Sequence, residues 1–127
     1  MTPGIQTRLT PHTVDETVAR LQTLLAAKGI KLFALIDHSG EALAAGLTMP
    51  PTKLLIFGNP KAGTPIMLAA PSAALDLPLR ILVAQLPDGQ TQLSWNDPAW
   101  LQQRHTFPAS LSANLAAAGL LAEAATQ

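Results

Sequence analysis

The stretch Leu54-Leu55-Ile56-Phe57-Gly58-Asn59-Pro60-Lys61-Ala62-Gly63-Thr64-Pro65-Ile66-Met67 constrains the fold more than any other. An apolar, partly β-branched run meets two glycines and two prolines before apolar residues resume at Ile66. Proline cannot donate to a strand ladder, so the strand must stop before Pro60. The pattern predicts a buried strand over Lys53 to Phe57, a tight loop over Gly58 to Thr64, and a helix from Ile66 to about Ala70. Loop amides and the helix N-terminus would then offer donors to an anion.

Either side of this stretch the pattern is equally punctuated. Residues 1 to 12 read as an arm in which Ile5 to Leu9 adds an edge strand before Pro11. Thr13 and Glu16 have capping-box spacing, and Val14, Val18, Leu21 and Leu25 fall on one helical face that Gly29 closes. Ile30 to Ile36 reads as a strand, Asp37-His38-Ser39-Gly40 as a turn, and Glu41 to Leu47 as a short helix stopped by Pro50-Pro51. After a polar and alanine-rich connection over Ser72 to Asp76, Leu79 to Leu86 and Thr91 to Trp95 form a hairpin about Pro87-Asp88-Gly89. Asp97-Pro98 opens a helix to about His105. Ser110 to Ala118 predicts a last helix closed by Gly119, with a frayed tail from Ala122. The sum is an α+β fold: a two-layer domain with helices packed on one mixed or antiparallel sheet of about five strands, ending in a hairpin.

Composition excludes several function classes. The chain of 127 residues has no cysteine, so neither disulfides nor a thiolate nucleophile is available. Eight basic residues balance eight acidic ones and no charged run is long, which argues against a nucleic-acid groove or polybasic membrane patch. No apolar window approaches the ~18 residues of a membrane span. Residues 1 to 8 lack the apolar core of a signal peptide, and the expectation is a single cytoplasmic domain. Apolar residues make up 48% and charged ones 13%, against roughly 25% charged in an average soluble domain. A small chain with so little charge predicts a homodimer.

The run Leu54 to Pro65 resembles the signature of the family called domain of unknown function 302. So do Asp76-Leu77-Pro78-Leu79-Arg80, Asp97-Pro98-Ala99-Trp100-Leu101-Gln102-Gln103-Arg104-His105, the lead-in Thr13 to Thr17, and Ile36-Asp37-His38. The resemblance covers about residues 5 to 107 and leaves the helix over about 110 to 121 outside it. It implies an α+β fold and dimers, and brings no activity.

The candidate site residues follow from residue chemistry. Gly58, Asn59, Lys61, Gly63 and Thr64 form the anion-binding loop, although their order is not that of a nucleotide-binding P-loop. Equally, each has a turn-forming role, with Asn59 as cap and Pro65 at the first helical position. His38, with Asp37 beside it at a strand end, is the candidate acid–base group, and Asp37 can instead cap the short helix. Arg80 either binds the same anion or pairs with Asp76. Trp95 and Trp100 read as packing residues. His12, His38 and His105 have no ligand spacing, and His38 with Met49 or Met67 is an axial pair by residue type alone; no metal or cofactor is assigned. No serine sits in an elbow motif, so no Ser-His-Asp arrangement is assigned. The leading expectation is a small dimeric ligand-binding or interaction module taking a small anionic ligand. Its rivals are an enzyme on a small anionic metabolite using His38, and a purely structural dimerisation unit.

Overall fold

The computed structural model describes residues 2–127. In chain order it places β1 (Ile5–Thr10), α1 (Val14–Ala27), β2 (Lys31–Asp37), α2 (His38–Ala44), β3 (Thr52–Gly58) and α3 (Pro60–Ala69). A 3-10 turn at Pro71–Leu75 leads to β4 (Leu79–Gln85), β5 (Thr91–Asn96) and α4 (Pro98–His105). A second 3-10 segment, Ala109–Leu115, precedes α5 (Ala117–Ala125). The α+β expectation holds, and the sheet is antiparallel throughout, with five strands in the order β1-β5-β4-β3-β2.

Alternation sets the two faces of the sheet. Leu55, Phe57, Ile81, Val83 and Leu93 are buried beneath α1 and α5. Their neighbours Leu54, Ile56, Leu82 and Ala84 point the other way and are half-buried, on the face that α1 and α5 leave uncovered. α1 contributes Val14, Thr17, Val18, Leu21 and Leu25 to the covered face. Its N-terminus carries the expected capping box, with the Glu16 N–H donating to Thr13 Oγ1 at 3.1 Å.

A second apolar cluster sits where β3 and β5 end and β4 begins. Ile66, Ala70, Ala73, Leu101, Phe107 and Leu115 form it, drawn from short helices and the connections between them rather than from strands. Trp100 packs at its edge, as the sequence predicts, against Gly4 at φ +80°, where a Cβ would lie 2.5 Å from the indole.

Three expectations need correcting. The loop over Gly58 to Thr64 is largely helix: Asn59 is the cap, Pro60 takes the first turn, and Pro65 lies inside α3 rather than at its start. Pro65 is exposed, so its missing N–H leaves no donor lost from the core. α2 likewise begins at His38, not Glu41, because Asp37 caps it. Finally, the helix expected over Ser110 to Ala118 is a 3-10 segment, Ala109–Leu115, followed by α5, which runs through Gly119, and the tail is not frayed. Leu121, Ala122 and Ala125 are buried within α5, and Arg20 Nε donates to the Ala125 carbonyl at 2.9 Å. An interior glycine costs only about 1 kcal/mol against alanine, less than burying one leucine contributes.

Candidate functional site

The N-terminal turn of α3 forms one wall of a cavity of about 270 Å3. Phe33 at the β2 bulge, Met67, Leu77, Pro78, Leu79 and Leu115 supply an apolar body, while Asn59, Thr64 and Asn114 bring polar groups to it. This is the composition of a small-molecule site: mostly apolar, with a few oriented polar atoms.

Local chemistry fixes those polar atoms. Asn59 Oδ1 accepts the Lys61 N–H at 3.0 Å, so its amide nitrogen is the end left over. Asn114 Nδ2 donates to the Ala62 carbonyl at 3.1 Å, which leaves its oxygen over. Thr64 Oγ1 makes no hydrogen bond among the described residues. The α3 amides themselves are occupied: Ala62 and Gly63 N–H donate to the Asn59 carbonyl at 2.9 and 3.0 Å. Any anion here would therefore meet side chains, not the free backbone donors expected of a loop. Gly58 and Gly63 line the cavity. Lys61 lies exposed between two lining residues and has no ion-pair partner among the described residues.

The remaining candidates are not gathered at this cavity. Asp37 pairs with Lys53 in the β2–β3 ladder, whereas Gly58 pairs with Lys31. His38 therefore lies about 20 Å along the strands from the cavity end. It is exposed, and among the described residues it has no hydrogen-bond partner. Asp37 is a cap: its Oδ1 accepts from the Gly40 N–H at 2.9 Å and from Ser39 Oγ at 2.7 Å. The Gly40 donor first, then the Ser39 hydroxyl and the Lys53 charge, lower its carboxyl below the ordinary value. Lys53 is raised, chiefly by its 2.9 Å contact with Asp15.

Arg80 faces the uncovered side of the sheet, opposite Ile56, and its Nε is enclosed without a hydrogen-bond partner among the described residues. It does not pair with Asp76. Asp76 instead accepts from Arg104 Nη1 at 3.1 and 3.3 Å and from His105 Nε2 at 2.5 Å. The other ring nitrogen, His105 Nδ1, lies 2.8 Å from Ser72 Oγ. Sequence reading missed this chain because Ser72 and His105 are 33 residues apart. No spacing rule links them, and only the packing of α4 on the Pro71–Leu75 turn does so.

Among the described residues, no group of three or more His, Asp or Glu side chains is placed to hold a metal ion. None of the described helices is long and apolar enough to cross a membrane.

Comparison with known proteins places this geometry in context. A crystal structure of an uncharacterized conserved protein DUF302 from Bacillus stearothermophilus superposes with a TM-score of 0.79. It covers 98% of this chain and 97% of that one at 19% identity, which shows the shared fold. The protein named fluoride-specific ion channel FluC 1 of Brucella suis biovar 1 is 42% identical over 104 residues, 82% of this chain and 41% of its own length. FluC 1 of Brucella abortus biovar 1 matches equally over 38% of its length. This chain thus spans about two fifths of the curated relatives it matches. The family model described as domain of unknown function DUF302 matches residues 5–124, taking in α5, which the resemblance read in the sequence left out. The chain belongs to the DUF302 family.

Proposed function

We propose that this protein is a ligand-binding module whose site is the cavity beside α3, and that its ligand is a small carboxylate with an apolar body. The carrying observation is the cavity itself, an apolar space beside which the Asn59 amide nitrogen, the Asn114 oxygen and the Thr64 hydroxyl remain uncommitted. Lys61 beside it supplies a point charge for the acid group. The test is thermal stability of the protein with short-chain carboxylic acids of increasing length. Wild type gains melting temperature as the chain lengthens to fill the cavity. Gly63→Leu, whose Cβ would start 3.8 Å from Leu77 and Met67, fills the cavity and abolishes the gain. Lys61→Ala keeps the length dependence at lower affinity. No gain in wild type with any acid, or an equal gain in Gly63→Leu, refutes this site.

The module is a homodimer built through the uncovered sheet face. Support comes from Leu54, Ile56, Leu82 and Ala84 on that face, flanked by the exposed Ile5 and Leu9, and from the partnerless Arg80 Nε among them. Stacked sheets pack about 10 Å apart and would remove these side chains from water. Sedimentation of wild type and Leu82→Glu tests this; a wild-type monomer ends the idea.

The relatives favour a second reading, a module acting alongside a fluoride-specific ion channel. It is supported by the 42% identical segment lying within polypeptides of that name. Deleting the gene for this chain should then lower fluoride tolerance of its host, and unchanged tolerance counts against the reading.

A further inference from the structure

We infer that Ser72 is an activated nucleophile, with His105 as its base and Asp76 as the positioning residue, and that it accepts an acyl group from activated esters. This site is separate from the cavity and does not depend on it.

The argument begins with proton inventory. A carboxylate only accepts, so the 2.5 Å contact assigns the imidazole proton to Nε2, donated to Asp76 Oδ2. In the neutral ring Nδ1 is then a bare lone pair, and at 2.8 Å it accepts from the Ser72 hydroxyl. The ring is used in the opposite sense to the familiar serine-hydrolase arrangement, but both senses align acid, imidazole and hydroxyl in one chain of hydrogen bonds.

Burial separates the roles. His105 is 7% exposed, so water does not compete for its nitrogens, whereas Ser72 is exposed and open to an electrophile. Asp76 is fixed in turn by two contacts from Arg104 Nη1. Ile66, Leu101, Phe107 and Leu115, which line a small gap together with His105, are apolar; Asp76 is the charged group paired with the ring, and Arg104 pairs with Asp76. The backbone beside the ring is also strained. Thr106 has φ 57°, a left-handed conformation costly for a β-branched residue. It is held by its N–H on the Gln102 carbonyl and by Gln102 Nε2 on the Phe107 carbonyl, both at 2.7 Å. Such strain is sustained where surrounding contacts over-determine one geometry, and here it fixes the residue next to the base.

The step is acyl transfer. Ser72 Oγ attacks the carbonyl carbon of an activated ester while its proton passes to His105 Nδ1. The tetrahedral adduct collapses, breaking the bond to the leaving-group oxygen, which takes the proton from His105. The products are O-acyl-Ser72 and a free phenol or alcohol, with no oxidant or other co-reactant.

The test is intact-mass and peptide mapping after incubation with p-nitrophenyl acetate. Ser110 is an internal control, being exposed on the same chain without an imidazole partner. General-base assistance predicts acetylation of Ser72 about a hundredfold or more faster than of Ser110. Ser72→Ala should lose the fast adduct, and Asp76→Asn should slow it while the far-ultraviolet circular dichroism stays native. Fast labelling that maps elsewhere, or equal rates at Ser72 and Ser110, overturns the proposal. Because the decisive comparison lies within the wild-type chain, it stands even where a variant fails to fold.

Discussion

The two apolar clusters of this protein are built on different principles. Beneath α1 and α5, strand residues two apart meet helix residues at helical spacing, and Leu55, Ile81, Val83 and Leu93 are 0% exposed. At the end of the sheet, Ile66, Leu101, Phe107 and Leu115 come from short helical pieces and a connection between them, with no common period. That cluster is less complete: it borders a cavity and relies on polar ties such as Asp76–His105 and Asn114–Ala62. Regular periodicity fills space, whereas short irregular pieces leave gaps and uncommitted polar atoms. Among the described residues, the cavity of about 270 Å3 borders the second region.

The sharpest way to break this comparison is a matched pair of truncations. Leu93→Ala in the sheet core should cost about 4–5 kcal/mol, the upper part of the range for buried leucine. Leu115→Ala beside the existing cavity should cost about 2–3 kcal/mol, because its surroundings are already open and can relax. Equal losses in urea denaturation would show that the clusters are packed alike.

A smaller effect probes the polar ties. Asp76→Ala leaves the buried His105 Nε2 without its acceptor, and should cost about 1–3 kcal/mol. It should also loosen the Pro71–Leu75 turn, seen as faster amide exchange there than in β4. Exchange unchanged in the turn would mean that apolar packing alone holds it.

The smallest effect lies outside both clusters, at the α2 cap. Asp37 has a lowered carboxyl in the folded state, so it binds a proton less readily folded than unfolded. Its contribution is complete above its ordinary value of 3.8 and is lost as pH falls through the folded value. Asp37→Asn should flatten the acid limb of the stability curve without altering either cluster. An acid limb identical to wild type would remove Asp37 from the account.

Much of the first cluster was legible in the sequence. Val14, Val18, Leu21 and Leu25 repeat at helical spacing, and the hairpin strands alternate about Pro87-Asp88-Gly89. Capping chemistry was legible too, but unevenly used. Asp97-Pro98 reads as a cap with proline behind it, and Asn59-Pro60 has the same form and role, yet the neighbouring glycines and Pro65 suggested a loop. Gly119 misled similarly, since a local stop signal is outweighed by burial of Leu121, Ala122 and Ala125.

The sequence by itself determined the type of most elements, the α+β class and the family, because these rest on periodicity, caps and turns that act within a few residues. Tertiary structure alone decided which chemistry-bearing groups meet. Asp76 turned from Arg80 to Arg104 and His105, His105 met Ser72, and Asp37-His38 was carried to the far end from Gly58. Those outcomes depend on strand order and on how short helices close over one sheet end. Long-range packing fixes both, and no local pattern encodes them.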